Sequence, residues 1–205
     1  MRKLFTLLVI TLLSAGIVSA QTTTKSGKKR WGHFGFKTGA NFSTLRLEGS
    51  ETANANAEGK TGFVFGAMEK IPLNEQFDLQ LEFLYSAMGG TISTGIGSND
   101  LYKLNYFSFP MLLKYSFFDG VKLIAGPQLD FIMKAKRVNG GHEYNHTDNV
   151  NSTSVAITFG AEKWFGKFFV LQCRYISGIN DVNKNSQTFQ YINKGIQATL
   201  GVLIQ

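Results

Sequence analysis

One cysteine, Cys173, stands in a chain of 205 residues. It excludes an intramolecular disulfide and a cysteine-rich zinc site together. Proline is nearly as scarce, with 3 residues against 22 glycines, and charged residues make up only 17%. Beyond residue 33 there is no run of about 18 apolar residues, so no transmembrane helix is expected. A dinucleotide or phosphate-binding fingerprint is missing too, because Gly95-Ile96-Gly97-Ser98-Asn99-Asp100 has no strand-to-helix context around it. No cofactor is therefore expected. What the chain does have is aromatic side chains, 18 Phe, 7 Tyr and 2 Trp. With the Gly-to-Pro balance they favour strands joined by turns over a helical bundle. The length suits one domain with a sizeable core.

Residues 1–20, MRKLFTLLVITLLSAGIVSA, read as a secretory signal peptide. Arg2 and Lys3 precede an apolar run from Leu4 to Leu13, and the small residues Ser19-Ala20 mark a cleavage site before Gln21. The apolar stretch is too short to anchor in a bilayer, and no cysteine follows for lipidation. Removing Arg2 and Lys3 takes the basic count from 21 to 19 against 14 acids, a net charge of +5. Lys25, Lys28, Lys29 and Arg30 concentrate that excess in residues 21–33, which read as a solvated basic segment on the periplasmic side. An exported chain has no expected nucleic-acid partner.

From residue 34 onward, period-two alternation recurs eight times. In the first segment Phe34, Phe36, Ala40 and Phe42 share a face opposite Gly35, Lys37, Gly39 and Asn41. In the third, Phe77, Leu79, Leu81, Phe83 and Tyr85 oppose Asp78, Gln80, Glu82 and Ser86. The last runs Ile196, Ala198, Leu200, Val202 and Ile204 against Gln197, Thr199, Gly201 and Gln205. The others cover residues 61–71, 102–117, 121–133, 153–164 and 168–177. Each has about ten residues or more, which is the length a tilted membrane strand needs and about twice that of a globular strand. Tight connections at 72–76, 118–120 and 165–167 alternate with long polar ones at 44–60, 91–101, 134–152 and 178–190. That alternation predicts an all-β, eight-stranded antiparallel up-and-down transmembrane barrel over residues 34–205. Both termini then face the periplasm and the four long loops face out of the cell. Trp164, Phe165, Phe168 and Tyr115 near the short turns, with Tyr102 near a long loop, are candidates for interfacial girdles.

Alternation leaves open which face is inside, and a soluble, secreted ligand-binding barrel would put the apolar face inward. The polar face carries Lys37, Asp78, Glu82, Lys114, Lys122, Asp130, Glu162 and Arg174, four acids and four bases. A narrow lumen requires such balance, since an unpaired buried charge costs several kcal/mol, of the order of ~3–5. Gly35, Gly39, Gly126, Gly160 and Gly201 leave room on the same face. The polar face is therefore expected inside, with a bulge at Met68-Glu69-Lys70, Glu69 and Lys163 outward near short turns, and Cys173 on the lipid side.

The chain resembles the PorT-like outer-membrane β-barrel domain family of Gram-negative bacteria, and in architecture the small OmpA and OmpX barrels. The motifs that carry the likeness are Gly35-Phe36-Lys37-Thr38-Gly39-Ala40-Asn41-Phe42-Ser43, Leu81-Glu82-Phe83-Leu84-Tyr85-Ser86 with Gly89, and Phe109-Pro110-Met111-Leu112-Leu113-Lys114-Tyr115. Ala125-Gly126-Pro127 and Arg174-Tyr175 with Gly178-Ile179 follow in order. One departure is the end, Leu203-Ile204-Gln205, where such barrels usually close on an aromatic residue that assists assembly. The resemblance implies a role in envelope biogenesis or protein secretion, with outer-membrane lipid around the chain and envelope proteins as partners.

The most chemical-looking motif is His142-Glu143-Tyr144-Asn145-His146. On a helix H-E-x-x-H would set two imidazoles one turn apart for zinc, with the glutamate as base. Here Gly140 and Gly141 precede it and asparagines surround it, in the longest expected loop, so neither a catalytic nor a metal role is assigned. His142 and His146 with Asp148 and Ser152 are likewise the only rim candidates for hydrolysis. Lys37, Glu82, Lys114, Asp130, Glu162 and Arg174 are expected to form a structural polar network that plugs the lumen. The expected function is thus non-enzymatic, carried by surface loops or envelope partners. A small channel and a soluble ligand-binding barrel are the alternatives.

Overall fold

Long alternating segments with one apolar face pair in sequence most simply as a meander, and closing it leaves no backbone donor facing lipid. A computed structural model of the chain has this form. It describes residues 22–23, 29–30, 33–48, 55–94, 98–147, 150–180 and 190–204. The expected signal peptide lies outside the described residues. Of the basic segment, Thr22–Thr23 pairs antiparallel with Lys29–Arg30.

The barrel strands are β1 (His33–Glu48), β2 (Ala55–Pro72), β3 (Phe77–Thr94) and β4 (Ser98–Phe118). They continue with β5 (Val121–Asn139), β6 (Thr153–Phe165), β7 (Phe169–Gly178) and β8 (Gln190–Ile204). Each pairs antiparallel with the next, and β8 closes on β1 from Gln190 opposite Glu48 to Ile204 opposite Phe34. The expected eight-stranded up-and-down barrel holds.

One end carries the tight turns. In the first, Asn74 Oδ1 accepts the backbone N–H groups of Gln76 and Phe77 at 2.9 and 2.8 Å. The other two turn on Gly120 and Gly166, both at φ 66°. No atom lies within 4 Å of where a Gly166 Cβ would stand, so Gly166→Ala meets only the left-handed backbone penalty. It is expected to lower stability by about 1–2 kcal/mol in urea titrations of the micelle-bound protein.

The opposite end departs from expectation. Much of what reads as long polar loops is strand: β1 runs to Glu48, β2 starts at Ala55, and β3 and β4 leave only residues 95–97 between them. The stretch 134–152 extends β5 to Asn139 and folds back as a short strand, His142–Asn145, paired to Lys136–Asn139. Strands β6 and β7 stay short, at 13 and 10 residues, so the wall at this end is uneven. The bulge expected at Met68-Glu69-Lys70 lies elsewhere, between Gly59 and Val64 on β2. A second one inserts Met133 between the partners of Asn105 and Tyr106.

These bulges mark a change of polarity. Below them the outer face is apolar, with Phe36, Phe63, Phe65, Phe159, Leu171 and Leu200 exposed, while the charged face is buried. Above them the pattern inverts: Leu104, Tyr106 and Ala135 point inward, and Lys103, Asn105, Lys134 and Lys136 outward. The lower section has the polarity of a lipid-embedded barrel and the upper section that of a water-soluble one. Because side chains alternate with period two, one inserted residue is enough to exchange the two faces.

Candidate functional site

The lumen is filled in layers. Nearest the short turns, Met68, Val170 and Leu203 pack with Trp164. Trp164 sits at an even position of β6, in phase with inward Glu162, so it lines the lumen and takes no place in the outer girdle where the sequence suggested it. Its indole N–H donates to Glu162 Oε1 at 2.7 Å. The Lys70 and Lys114 ammonium groups stand 4.9 and 5.5 Å from its ring centre. Tyr102, likewise expected in a girdle, also turns inward. Phe165, Phe168 and Tyr115 are exposed outside.

Above this floor lies the charged layer. Lys114 Nζ donates to both oxygens of Glu162, at 2.7 and 2.8 Å. Glu82 takes Lys37 Nζ on Oε1 at 2.8 Å and Arg174 Nη1 on Oε2 at 2.7 Å. Gln172 joins the two groups, accepting from Lys37 at 2.5 Å and donating to Glu162 at 3.1 Å. Gln80 also donates to Glu82, and Lys122 pairs with Asp78 nearer the turns. Of the six residues singled out in the sequence, five thus meet in one network, buried to 1% side-chain exposure or less. Asp130 forms no ion pair among the described residues and accepts from Gln128 Nε2 at 2.8 and 3.1 Å. Gln172 and Gln80 went unremarked in the sequence, although both fall on the polar face.

A neutral layer follows, in which Gln197 donates to Asn41 at 2.7 Å and Asn41 to Ser86 at 2.9 Å. An apolar ceiling of Leu45, Met88, Ile92, Leu104, Tyr106, Ala135, Val150, Ala156 and Ile176 closes the stack. Charges are thus enclosed between apolar layers at both ends, where ion pairs and hydrogen bonds offset the cost of burying them.

Beyond the ceiling, the H-E-x-x-H stretch lies in the short strand, with His142 to Asn145 all exposed, and the loop expected there is a hairpin arm. Extended backbone sends Glu143 to the opposite face from His142. Glu143 bonds Lys103 at 3.1 Å and also pairs with Lys136. His146 stacks edgewise on Tyr102, 5.8 Å between ring centres. Burial, reinforced by the charge of Arg137, pushes its imidazole below the ordinary histidine range, against the pull of Asp100. Among the described residues no group of three His, Cys, Asp or Glu side chains could hold a metal ion.

On the same arm, Asp100 accepts from Arg137 Nη2 at 2.7 Å and from Asn139 at 2.6 Å. Burial alone would raise the Asp100 carboxyl, but those two hydrogen bonds and the Arg137 charge outweigh it and hold it below 3.8. A depressed carboxyl stabilises the fold above its unfolded value and loses that effect as pH falls through the folded one. Hydrogen-exchange protection of β4 and β5 near Asp100 should therefore exceed that of Asp100→Asn at pH 6. The difference should shrink as the pH falls below about 4.

Comparison with known proteins agrees with this architecture. No curated protein sequence matches the chain. Among solved structures, Ail, the attachment invasion locus protein of Yersinia pestis, superposes with a TM-score of 0.50 at 15% identity, over 84% of this chain and 99% of that one. Neisserial surface protein A gives 0.53 at 13% identity, over 82% and 96%. At such identities the likeness is one of fold. The family model of the outer membrane protein beta-barrel domain matches residues 19–184, most of the chain. Together with the closed eight-stranded wall, its apolar belt and its filled lumen, that match places the chain in the outer membrane protein beta-barrel domain family.

Proposed function

We propose that this protein is a non-enzymatic barrel of the outer membrane that works through the projecting strand ends on its long-connection side. The observation that carries this reading is the stacked lumen. An apolar floor, a charge layer rich in ion pairs and an apolar ceiling occupy the described interior, which favours work done at the outside of the wall. In this reading residues 1–20 direct export, residues 21–33 and the C-terminus face the periplasm, and the hairpin arm at His142–Asn145 faces out of the cell. PorT-like membership, carried by the ordered motifs from Gly35 to Ile179, would make its partners components of envelope biogenesis or secretion.

Two measurements test this. A cysteine at Gly140, in a Cys173→Ser background, should react in intact cells with a membrane-impermeant maleimide, whereas one at Gly166 should react only after the envelope is opened. Purified protein in planar bilayers should give no conductance steps. Labelling at Gly166 alone would reverse the orientation, and reproducible steps would establish the channel alternative.

A further inference from the structure

The outer face of β4 and β5 carries an arrangement that the fold does not need. Going up β4, the outward residues are Leu113, Met111, Phe109 and Phe107, and then Asn105 and Lys103. On β5 they are Leu123, Leu129, Phe131 and Met133, followed past the bulge by Lys134 and Lys136. Three ammonium groups thus stand where the apolar belt ends, at the level of lipid headgroups. Lys103 and Lys136 are directly opposite one another across the strand pair, a like-charge pairing that works against the sheet. Among the described residues, Glu143 alone pairs with both. Gly89, the β3 partner of Lys103, has no side chain, and the Lys60 side chain comes within 3.5 Å of where a Gly89 Cβ would stand. Glu58, two residues from Lys60 on β2, is a further exposed acid. Among the described residues, four bases thus face two acids in this patch, an excess of positive charge on the outer face.

We infer that Lys103, Lys134 and Lys136 form a binding site for the phosphate groups of a phosphorylated glycolipid in the surrounding leaflet, with Lys60 at its margin. This rests on the orientation proposed above, which sets the patch in the outer leaflet. The apolar belt directly beneath supplies contacts for acyl chains, which a free phosphate cannot use. Glu143 holds the lysines together until a phosphate takes its place between them. A basic side chain near an anionic surface contributes about fivefold in affinity, so three contribute roughly a hundredfold.

The test uses the whole protein in phosphatidylcholine nanodiscs doped with lipid A that bears its phosphates. Lipid A co-purifying with the protein should fall about a hundredfold for Lys103→Gln/Lys134→Gln/Lys136→Gln and survive the matching arginine triple. Glu143→Gln, which keeps every lysine, should retain lipid about fivefold more tightly, and this arm stands even if the triple variant fails to fold. Dephosphorylated lipid A should co-purify no better with wild type than with the triple. Equal retention by wild type and a folded triple variant would overturn the site, as would unchanged retention by Glu143→Gln. Displacement of lipid A by millimolar inorganic phosphate would overturn the lipid as its ligand. Discs present both leaflets, so binding there with no labelling at Gly140 in cells would retain the phosphate site and reject the orientation.

Discussion

Glu82→Ala is expected to destabilise the barrel by about 3–5 kcal/mol, the penalty for leaving a buried ion without its counter-charge. Glu82 is the ion-pair partner of both Lys37 and Arg174. Arg174 has two further nitrogens, Nε and Nη2, with no protein hydrogen-bond partner, so it has little to fall back on. Urea unfolding in micelles, followed by the loss of heat-dependent gel mobility, measures the effect. The companion variant Lys37→Met/Glu82→Leu/Arg174→Met removes all three charges at similar volume and should recover most of the loss. Because the pairs are buried, neither result should respond much to salt. A Glu82→Ala protein within about 1 kcal/mol of wild type would mean that the charged layer contributes little to the fold.

Trp164→Ala should cost a similar amount, about 3–5 kcal/mol, for a different reason. The indole fills the floor against Met68, Val170 and Leu203, and the substitution leaves a cavity beside Glu162 and Lys114. Trp164→Phe separates the contributions. It keeps most of the packing and loses the N–H to Glu162, an expected loss of about 1–3 kcal/mol for a hydrogen bond to a charged group. Equal effects of the two substitutions would assign the role of Trp164 to its hydrogen bond, and a silent Trp164→Phe would assign it to volume.

The barrel and the facing of its strands were legible because lipid imposes strict alternation on any strand that crosses it. Glu82 occupies a polar position between the outward-facing Leu81 and Phe83, and that phase alone locates it. The upper third was not legible for the converse reason. On β4 the apolar residues change phase, from outward Phe109 and Phe107 to inward Tyr106 and Leu104, while on β5 the inserted Met133 turns Ala135 inward and Lys134 outward. A pattern that reverses within a strand resembles one that has ended, and polar stretches such as 91–101 then pass for loops. The extended arm at His142–Asn145 was hidden similarly, since its four residues are all exposed and carry no alternation. Pairings across the lumen, such as Gln172 with Lys37, depend on side chains from opposite walls, which no local spacing encodes.

The charged layer joins the two ends of the chain. Lys37 and Glu82 belong to its first half, Gln172 and Arg174 to its second, and the hydrogen bonds between them span 92 and 135 residues. In a chain made from its N-terminus, neither contact can form before β7 is present. A chain halted before β7 would carry Glu82 into the hydrocarbon without Arg174, a cost that grows as water leaves. Completion of the charged layer therefore waits for β7, although Lys37 and Glu82 can already pair within β1–β3. A translation product cut short of β7 should remain outside the membrane, where quality-control proteases reach it, so that only full-length chains enter the bilayer.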